Sequence, residues 1–258
     1  MSATVDMLWV ETRKAIRARM PLWTGLGSLF MPAGFALLIL LAKHPELTAK
    51  LGLIGAKANL TTYASASWST YLPLTSEIVA AGGFVLYVLA ASWVFGREFA
   101  DGTVKDLLAV PIPRRSILAA KFILLAIWSA GLTILMECAS LALGGLLRLP
   151  GGSARIFLGN FGIAAVTGLM VIAVGLPFAW VASLGRGYLL PVGMAILTAA
   201  ATNLIAVIGM GPYFPWAIPG LYSQGQVQTP ASFVVIILTG LVGVAITYRW
   251  WMTADQNR

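Results

Sequence analysis

The chain has 258 residues, of which 59% are hydrophobic and only 10% charged. This composition lies outside the range of soluble globular proteins and indicates an all-α polytopic membrane protein, with residues 1–258 forming one transmembrane domain in the lipid bilayer. The net charge of +8 does not indicate nucleic-acid binding, because the basic residues are scattered among loop ends and form no single basic face.

Residues 1–21 are predicted to form an amphipathic helix at the membrane interface. Val5, Leu8, Trp9 and Ile16 fall roughly on one helical face, and the basic residues fall largely elsewhere. Pro21 is expected to end this helix, and the first membrane span is predicted at about residues 22–42.

A polar interval follows at residues 43–76, and its second part is rich in serine and threonine. His44 stands there without a second histidine or a cysteine near it in the sequence, so it is interpreted as a solvated loop residue and not as a metal ligand. The second span is predicted at about residues 78–95.

The most unusual stretch is the charged loop at residues 97–115, which separates two apolar runs. Charged side chains do not sit in hydrocarbon, so this loop must stand in water between two spans. Its charged residues are Arg97, Glu98, Asp101, Lys105, Asp106, Arg114 and Arg115.

A short amphipathic helix is predicted inside this loop. Asp101 and Gly102 make a turn, and Thr103 and Asp106 have the spacing of a helix cap and its reciprocal acid. The leucines at 107 and 108 then share one face with Val104, and two prolines at 111 and 113 end the helix. Ser116 is expected to cap the next span. The alternative is an ordinary charged loop between spans.

The third apolar run, residues 117–147, is longer than a membrane crossing requires. Lys121, near its start, is expected to extend back to the interface. Glu137 lies deep in the run, and an acid in a span is a functional candidate that faces a cavity, a subunit interface or a partner. The alternative is that the long helix already projects into water at Glu137.

Three further spans are predicted at about residues 156–184, 188–210 and 231–251. Pro177 is expected to kink or break the fourth span, and Asn203 is the only strongly polar residue of the fifth. Residues 211–230 combine prolines with aromatic residues, which favours a re-entrant or interfacial segment between spans five and six; an ordinary aromatic loop is the alternative.

Six spans place both termini and the charged loop on the same side of the membrane. That side carries 12 of the 17 Lys and Arg residues. Because cytoplasmic loops are enriched in Lys and Arg, both termini are predicted to be cytoplasmic.

Sequence motifs for catalysis are missing. The chain has no G-x-x-x-x-G-K-[ST] phosphate loop, no H-E-x-x-H motif and no G-x-S-x-G nucleophile motif. We therefore expect neither an enzyme nor a metal site in this chain. Two alternatives stay open: a membrane enzyme that acts on lipid headgroups through Glu98, Asp101 and Asp106, and a stand-alone secondary transporter.

The charged loop resembles the cytoplasmic loop of type 2 ABC transporter permeases. In that family a pattern close to E-x-x-x-G-T, a leucine-rich turn, a proline, one or two arginines and a lysine recurs between the second and third spans. The matching residues here are Glu98, Gly102, Thr103, Leu107, Leu108, Pro111, Arg114, Arg115 and Lys121. The likeness is specific over residues 95–123 and looser over the whole chain. Members of similar size include bacitracin and lantibiotic export permeases.

The resemblance implies the permease subunit of an ATP-driven exporter in a bacterial inner membrane. The short helix would then be a coupling helix that contacts a separate ATPase, and the ATPase would bind ATP and magnesium. Two permease copies, expected to be a homodimer, would work with two ATPase subunits and enclose the substrate pathway between them. The contact residues implied are Arg97, Glu98, Asp101, Gly102, Thr103, Lys105, Asp106, Arg114 and Arg115; Glu137 and Asn203 are the first candidates for the pathway.

Overall fold

The computed structural model describes residues 3–44, 46, 65–226 and 229–253, and all regular structure in these residues is helical. Six stretches are long and apolar enough to cross a membrane. The predicted all-α architecture with six spans is therefore confirmed. Most of the predicted polar interval between the first two spans, namely residues 45 and 47–64, lies outside the described residues, as do 227–228 and 254–258.

The first half of the chain contains seven α-helices and one π-helical turn within the described residues. They are α1 (Ala3–Arg17), α2 (Met20–Ser28), α3 (Phe30–Lys43), α4 (Trp68–Ile78), the π-helical turn Val79–Gly83, α5 (Phe84–Ala100), α6 (Val104–Ala109) and α7 (Arg114–Leu146). Helices α2 and α3 form the first span, α4 to α5 the second, and α7 the third.

The second half supplies the remaining three spans. Its elements are α8 (Ala154–Gly175), α9 (Pro177–Leu184), α10 (Leu189–Val207), a 3₁₀ turn (Gly211–Tyr213), α11 (Ile218–Ser223) and α12 (Pro230–Thr253). Helices α8 and α9 form the fourth span, α10 the fifth and α12 the sixth. The break that Pro177 predicted in the fourth span lies between α8 and α9, where Pro177 stands in the first turn of the new helix.

Helix α1 ends at Arg17, earlier than the sequence predicted. Arg19 adopts a left-handed backbone with φ of 56°, so the chain turns there, and Pro21 falls in the first turn of α2. Met7, Glu11 and Ala15 form the buried stripe of α1, while Trp9 and Ile16 are 58% and 63% exposed. The helix therefore rests one face on α7 and leaves an apolar face uncovered.

The second span begins at Trp68, ten residues before its predicted start. The serine and threonine residues that suggested a loop are compatible with helix because their hydroxyls bond to nearby groups of the helix itself. The Ser67 amide donates to the Thr70 hydroxyl at 3.0 Å, and the Thr75 hydroxyl donates to the Leu72 carbonyl at 2.8 Å. This span is the most buried of the six, and the fifth span is the least buried.

Helix α6 forms inside the charged loop, but not with the predicted cap. Gly102, with φ of 71°, makes the turn before it, and Thr103 precedes its first residue without a side-chain capping hydrogen bond. The next helix begins at Arg114 after Pro113, so Ser116 lies in its first turn and does not cap it. The prolines thus fix the boundary that serine was expected to fix.

Residues 211–226 fold back onto the bundle in two short helical turns. Ile218 is completely buried and Ala217 is 3% exposed. The Trp216 indole donates to the Val174 carbonyl of α8 at 2.9 Å. The segment is thus packed against the fourth span by both apolar and hydrogen-bonding contacts.

Candidate functional site

The charged loop lies at the end of the bundle where α1 begins and α12 ends, which we call the terminal side. The Arg114 guanidinium donates to the Trp251 carbonyl near the end of α12 at 3.0 Å. Leu107 of α6 packs with Met7 of α1 and with Ile117 of α7. The short helix therefore packs against α1 and α7, and the first turn of α7 is bonded to the end of α12.

Behind α6 lies a cluster of four charged side chains, Glu11, Lys14, Glu98 and Lys121, which we call the charge cluster. The Lys121 ammonium lies 3.0 Å from Glu98 and 3.2 Å from Glu11, and it also donates to the Val94 carbonyl at 2.6 Å. Lys14 lies 2.8 Å from Glu11 and 3.2 Å from Glu98. The two acids and two bases thus join α1, α5 and α7.

Burial makes this cluster a positioning element. Lys121 is completely buried, and Glu11 and Glu98 are 1% and 4% exposed. An isolated buried charge costs several kcal/mol, so each of these groups depends on its partners. The prediction that Lys121 extends to the interface is wrong, because its ammonium is turned inward to the two carboxylates and the Val94 carbonyl.

Lys14 sits at the open edge of the cluster, with its side chain 29% exposed. Burial alone would lower the pKa of Lys14, but the nearby carboxylates of Glu11 and Glu98 outweigh it and raise the pKa above its usual value of 10.5. Lys14 therefore stays charged across the physiological range.

A groove of about 460 Å³ separates α1 from α6. Its walls come from α1, from the end of α5 and from the loop around α6; the lining residues are Met7, Val10, Lys14, Arg97, Glu98, Asp101, Thr103, Asp106, Leu107, Val110 and Ile112. The groove is lined by both apolar and charged side chains, which is a composition suited to a protein partner.

The predicted contact residues divide into six exposed residues, the half-buried Arg97, and two residues bonded within the chain. Asp101, Gly102, Thr103, Lys105, Asp106 and Arg115 are exposed. Arg97 is half-buried, pairs with Asp101 at 3.0 Å and stacks 4.9 Å from the Trp93 ring. Glu98 belongs to the buried charge cluster and Arg114 bonds to α12, so these two side chains are engaged within the chain itself.

Glu137, on the third span, is 4% exposed and lies far from the charged loop. Its Oε2 accepts a hydrogen bond from the Thr75 hydroxyl at 3.2 Å, and Thr75 in turn accepts one from the Asn160 amide at 3.1 Å. The interpretation that Glu137 projects into water is therefore wrong: it is enclosed by neighbouring spans. It lines a cavity of about 250 Å³ between α7 and α8.

Asn203 is exposed on α10, and its amide donates to the Ala199 carbonyl at 2.9 Å. It lines a different cavity, of about 240 Å³, with Glu77, Thr202 and Gln224. The structure therefore does not bring the two predicted pathway residues together.

Several residues at these places were missed by sequence reasoning. Glu11 and Lys14 join the charge cluster, Thr75 and Asn160 surround Glu137, and Glu77 lines the Asn203 cavity. Glu77 alone carried a signal, as an acid at the edge of an apolar run. The other residues carried no such signal, because their partners are distant in the sequence. Thr75 and Glu137 are 62 positions apart, and Lys14 and Glu98 are 84 positions apart.

Comparison with known proteins agrees with this architecture. Residues 7–202, more than half of the chain, match the family described as "ABC-2 family transporter protein". The bacitracin transport permease protein BCRB of Bacillus licheniformis is 25% identical over 190 residues, which cover 72% of this chain and 91% of the relative. The matched region includes four complete spans and most of the fifth, together with the charge cluster and α6. The chain therefore belongs to the ABC-2 transporter family and is a membrane-embedded permease subunit of an ABC transporter.

Proposed function

We propose that this chain is the permease of an ATP-driven exporter in a bacterial inner membrane and that a separate ATPase docks in the groove between α1 and α6. The observation that carries the proposal is this groove of about 460 Å³, which is lined by both apolar and charged side chains. Because the sequence has no phosphate loop, ATP and magnesium are bound by the partner.

The exposed residues of the charged loop make the contact. Asp101, Lys105 and Asp106 offer charges of both signs, and Gly102 lets the backbone turn sharply toward the partner. Arg97 and Arg115 add positive charge at the two ends of the loop. Glu98 and Arg114 support the docked helix from behind, through the charge cluster and α12 respectively.

The charge cluster transmits movement of the ATPase to the spans. A docked partner moves α6, and the contact of Leu107 with Met7 and Ile117 carries that motion to α1 and α7. The Glu98–Lys121 ion pair fixes the end of the second span to the third. A rigid-body response follows, because packed and ion-paired helices move together more easily than they deform.

Two copies of the chain pair through their least buried span and enclose the pathway. Helix α10 leaves Leu197, Leu204 and Val207 at least 70% exposed. A second permease copy covers part of this face, which makes a homodimer with two ATPases. Glu137 and Asn203 remain the residues proposed for the pathway, and the relative's name makes peptide antibiotics the first substrates to test.

The terminal side faces the cytoplasm in this proposal. Support comes from its 12 of 17 Lys and Arg residues and from the position of α6, which must meet a cytoplasmic ATPase. A reporter protein that functions only in the cytoplasm is expected to be active when it is fused after Arg258.

Docking is tested by co-purification with an ABC ATPase subunit that is co-expressed with this chain. Asp106→Arg reverses an exposed charge on the groove rim and is expected to reduce recovery of the ATPase about tenfold or more. Glu46→Arg makes the same change in charge at an exposed position beyond the first span, on the opposite side of the membrane, and is expected to leave recovery unchanged. Equal recovery with both variants would remove α6 from the docking surface.

A further inference from the structure

The cavity beside Glu137 has almost entirely apolar walls. Its volume is about 250 Å³, and its lining includes Ala130, Ile134, Phe161, Ala165 and Leu169 together with the acid. Ile134, Phe161 and Leu169 are 57%, 56% and 66% exposed, so the cavity opens through the side of the bundle. A molecule can therefore enter from the bilayer without crossing the protein.

Glu137 is the charged residue among those that line this cavity, beside the polar Thr133, and one of its carboxylate oxygens is unsatisfied. Its Oε1 finds no hydrogen-bond partner among the described residues. Its Oε2 has only the Thr75 hydroxyl, whose single proton is shared with the closer Leu72 carbonyl. Buried carboxylate oxygens normally accept several hydrogen bonds, so this acid has capacity for a further donor.

The other buried acids among the described residues have cationic partners, unlike Glu137. Glu11 and Glu98 are each paired with two lysines in the charge cluster. Within the described residues, no lysine, arginine or histidine forms an ion pair with Glu137. A buried acid without a cation, beside an opening to the bilayer, is a place where a cation from outside would bind.

We propose that this cavity binds an amphipathic amine, with its ammonium group at the Glu137 carboxylate and its hydrocarbon part along the apolar walls. An ammonium group supplies both the positive charge and the N–H donors that the carboxylate lacks. An anion is repelled by the carboxylate, and a neutral alcohol gains the apolar contacts but no ion pair. The binding site stands on the geometry of α7 and α8; only its use as a substrate site rests on the proposed transport function.

The test uses the full-length chain in nanodiscs of phosphatidylcholine, a lipid without net charge. Saturable binding of radiolabelled decylamine is measured at neutral pH, with decanol as the uncharged probe of the same length. Decylamine is expected to bind about tenfold or more tightly than decanol, a ratio equivalent to about 1.4 kcal/mol.

Two variants and one control locate the site. Glu137→Gln removes the charge with little change of shape and is expected to weaken decylamine binding about tenfold or more, while decanol binding stays the same. Glu46→Gln makes the same substitution at an exposed residue and is expected to change neither. Ala165→Leu fills the cavity without touching the acid and is expected to weaken both probes.

The proposal is overturned if decylamine and decanol bind equally, if Glu137→Gln binds decylamine as the unchanged chain does, or if saturable binding is absent. Each variant is first shown to be folded by its melting temperature. Failure here is distinguishable from failure of the proposed function, because ATPase recovery with Glu137→Gln is measured separately and is expected to be normal.

Discussion

The bundle buries carboxylates at two places and satisfies them in opposite ways. On the terminal side, Glu98 receives the ammonium groups of Lys121 and Lys14 within 3.2 Å. Toward the other end of the third span, Glu137 receives one shared hydroxyl and no cation from the described residues. The first arrangement joins three helices through ion pairs, whereas the second leaves one carboxylate oxygen without a hydrogen-bond partner among the described residues.

The largest expected effect comes from removing the central cation of the charge cluster. Lys121→Met leaves Glu98 and Glu11 buried with only Lys14 as a shared partner, and it is expected to lower the free energy of unfolding by about 3–5 kcal/mol. Thermal unfolding in detergent measures the change. Lys105→Met, on the exposed face of α6, is the control and should unfold as the unchanged chain does.

If Lys121→Met were as stable as that control, the charge cluster would not position the helices. A further variant strengthens the test: adding Glu98→Gln to Lys121→Met removes one of the stranded carboxylates. The double variant is therefore expected to be more stable than Lys121→Met alone.

The same substitution at the two places should have opposite effects. Glu98→Gln removes the ion pairs of this residue with Lys14 and Lys121 and is expected to destabilise the protein by about 2 kcal/mol. Glu137→Gln removes a buried charge without a cation and is expected to stabilise the protein by about 1 kcal/mol. Melting temperatures of the two variants, measured side by side, decide this. Equal losses at both positions would contradict the comparison.

A close backbone contact adds to the rigidity of the terminal side. A Cβ on Gly96 would lie 2.7 Å from the Gly187 carbonyl oxygen, so Gly96→Ala forces the return between the fourth and fifth spans away from α5. We expect a loss of about 1–2 kcal/mol in unfolding free energy. Gly131→Ala has open space around its Cβ and serves as the matched control. Identical melting temperatures for the two variants would contradict this contact.

The smallest effect concerns the partly exposed member of the cluster. The folded-state pKa of Lys14 is raised above 10.5 by Glu11 and Glu98, so its contribution is fully present below pH 10.5 and is lost as the pH rises through the folded-state value. The difference in melting temperature between the unchanged chain and Lys14→Met should therefore shrink in that alkaline range. A difference that stays constant there would show that the charge of Lys14 has no role.

Sequence patterns predicted the large features because these depend on local chemistry. Apolar length gave the number of spans, and Pro177 gave the break in the fourth span, since proline lacks the amide hydrogen that a helix interior requires. The early start at Trp68 was missed because hydroxyls that bond within their own helix look like loop residues in a sequence.

Side-chain partners across the bundle could not be predicted in the same way. Lys121 and Glu11 are 110 residues apart, and Glu137 and Thr75 are 62 residues apart. Nothing in the local pattern distinguishes a lysine that extends to the interface from one that turns inward. The exposed residues of α6 were identifiable, because charge, glycine and proline are concentrated in one short loop.

Site-specific photo-cross-linking at Lys105 tests the docking of an ATPase on α6 most directly. A photoreactive amino acid at Lys105 is expected to give a covalent adduct between the permease and the ATPase in membranes that contain both, while the same group at exposed Arg155, on the opposite side, gives none. The account is contradicted if Lys105 yields no adduct in membranes where the two proteins co-purify and transport is active.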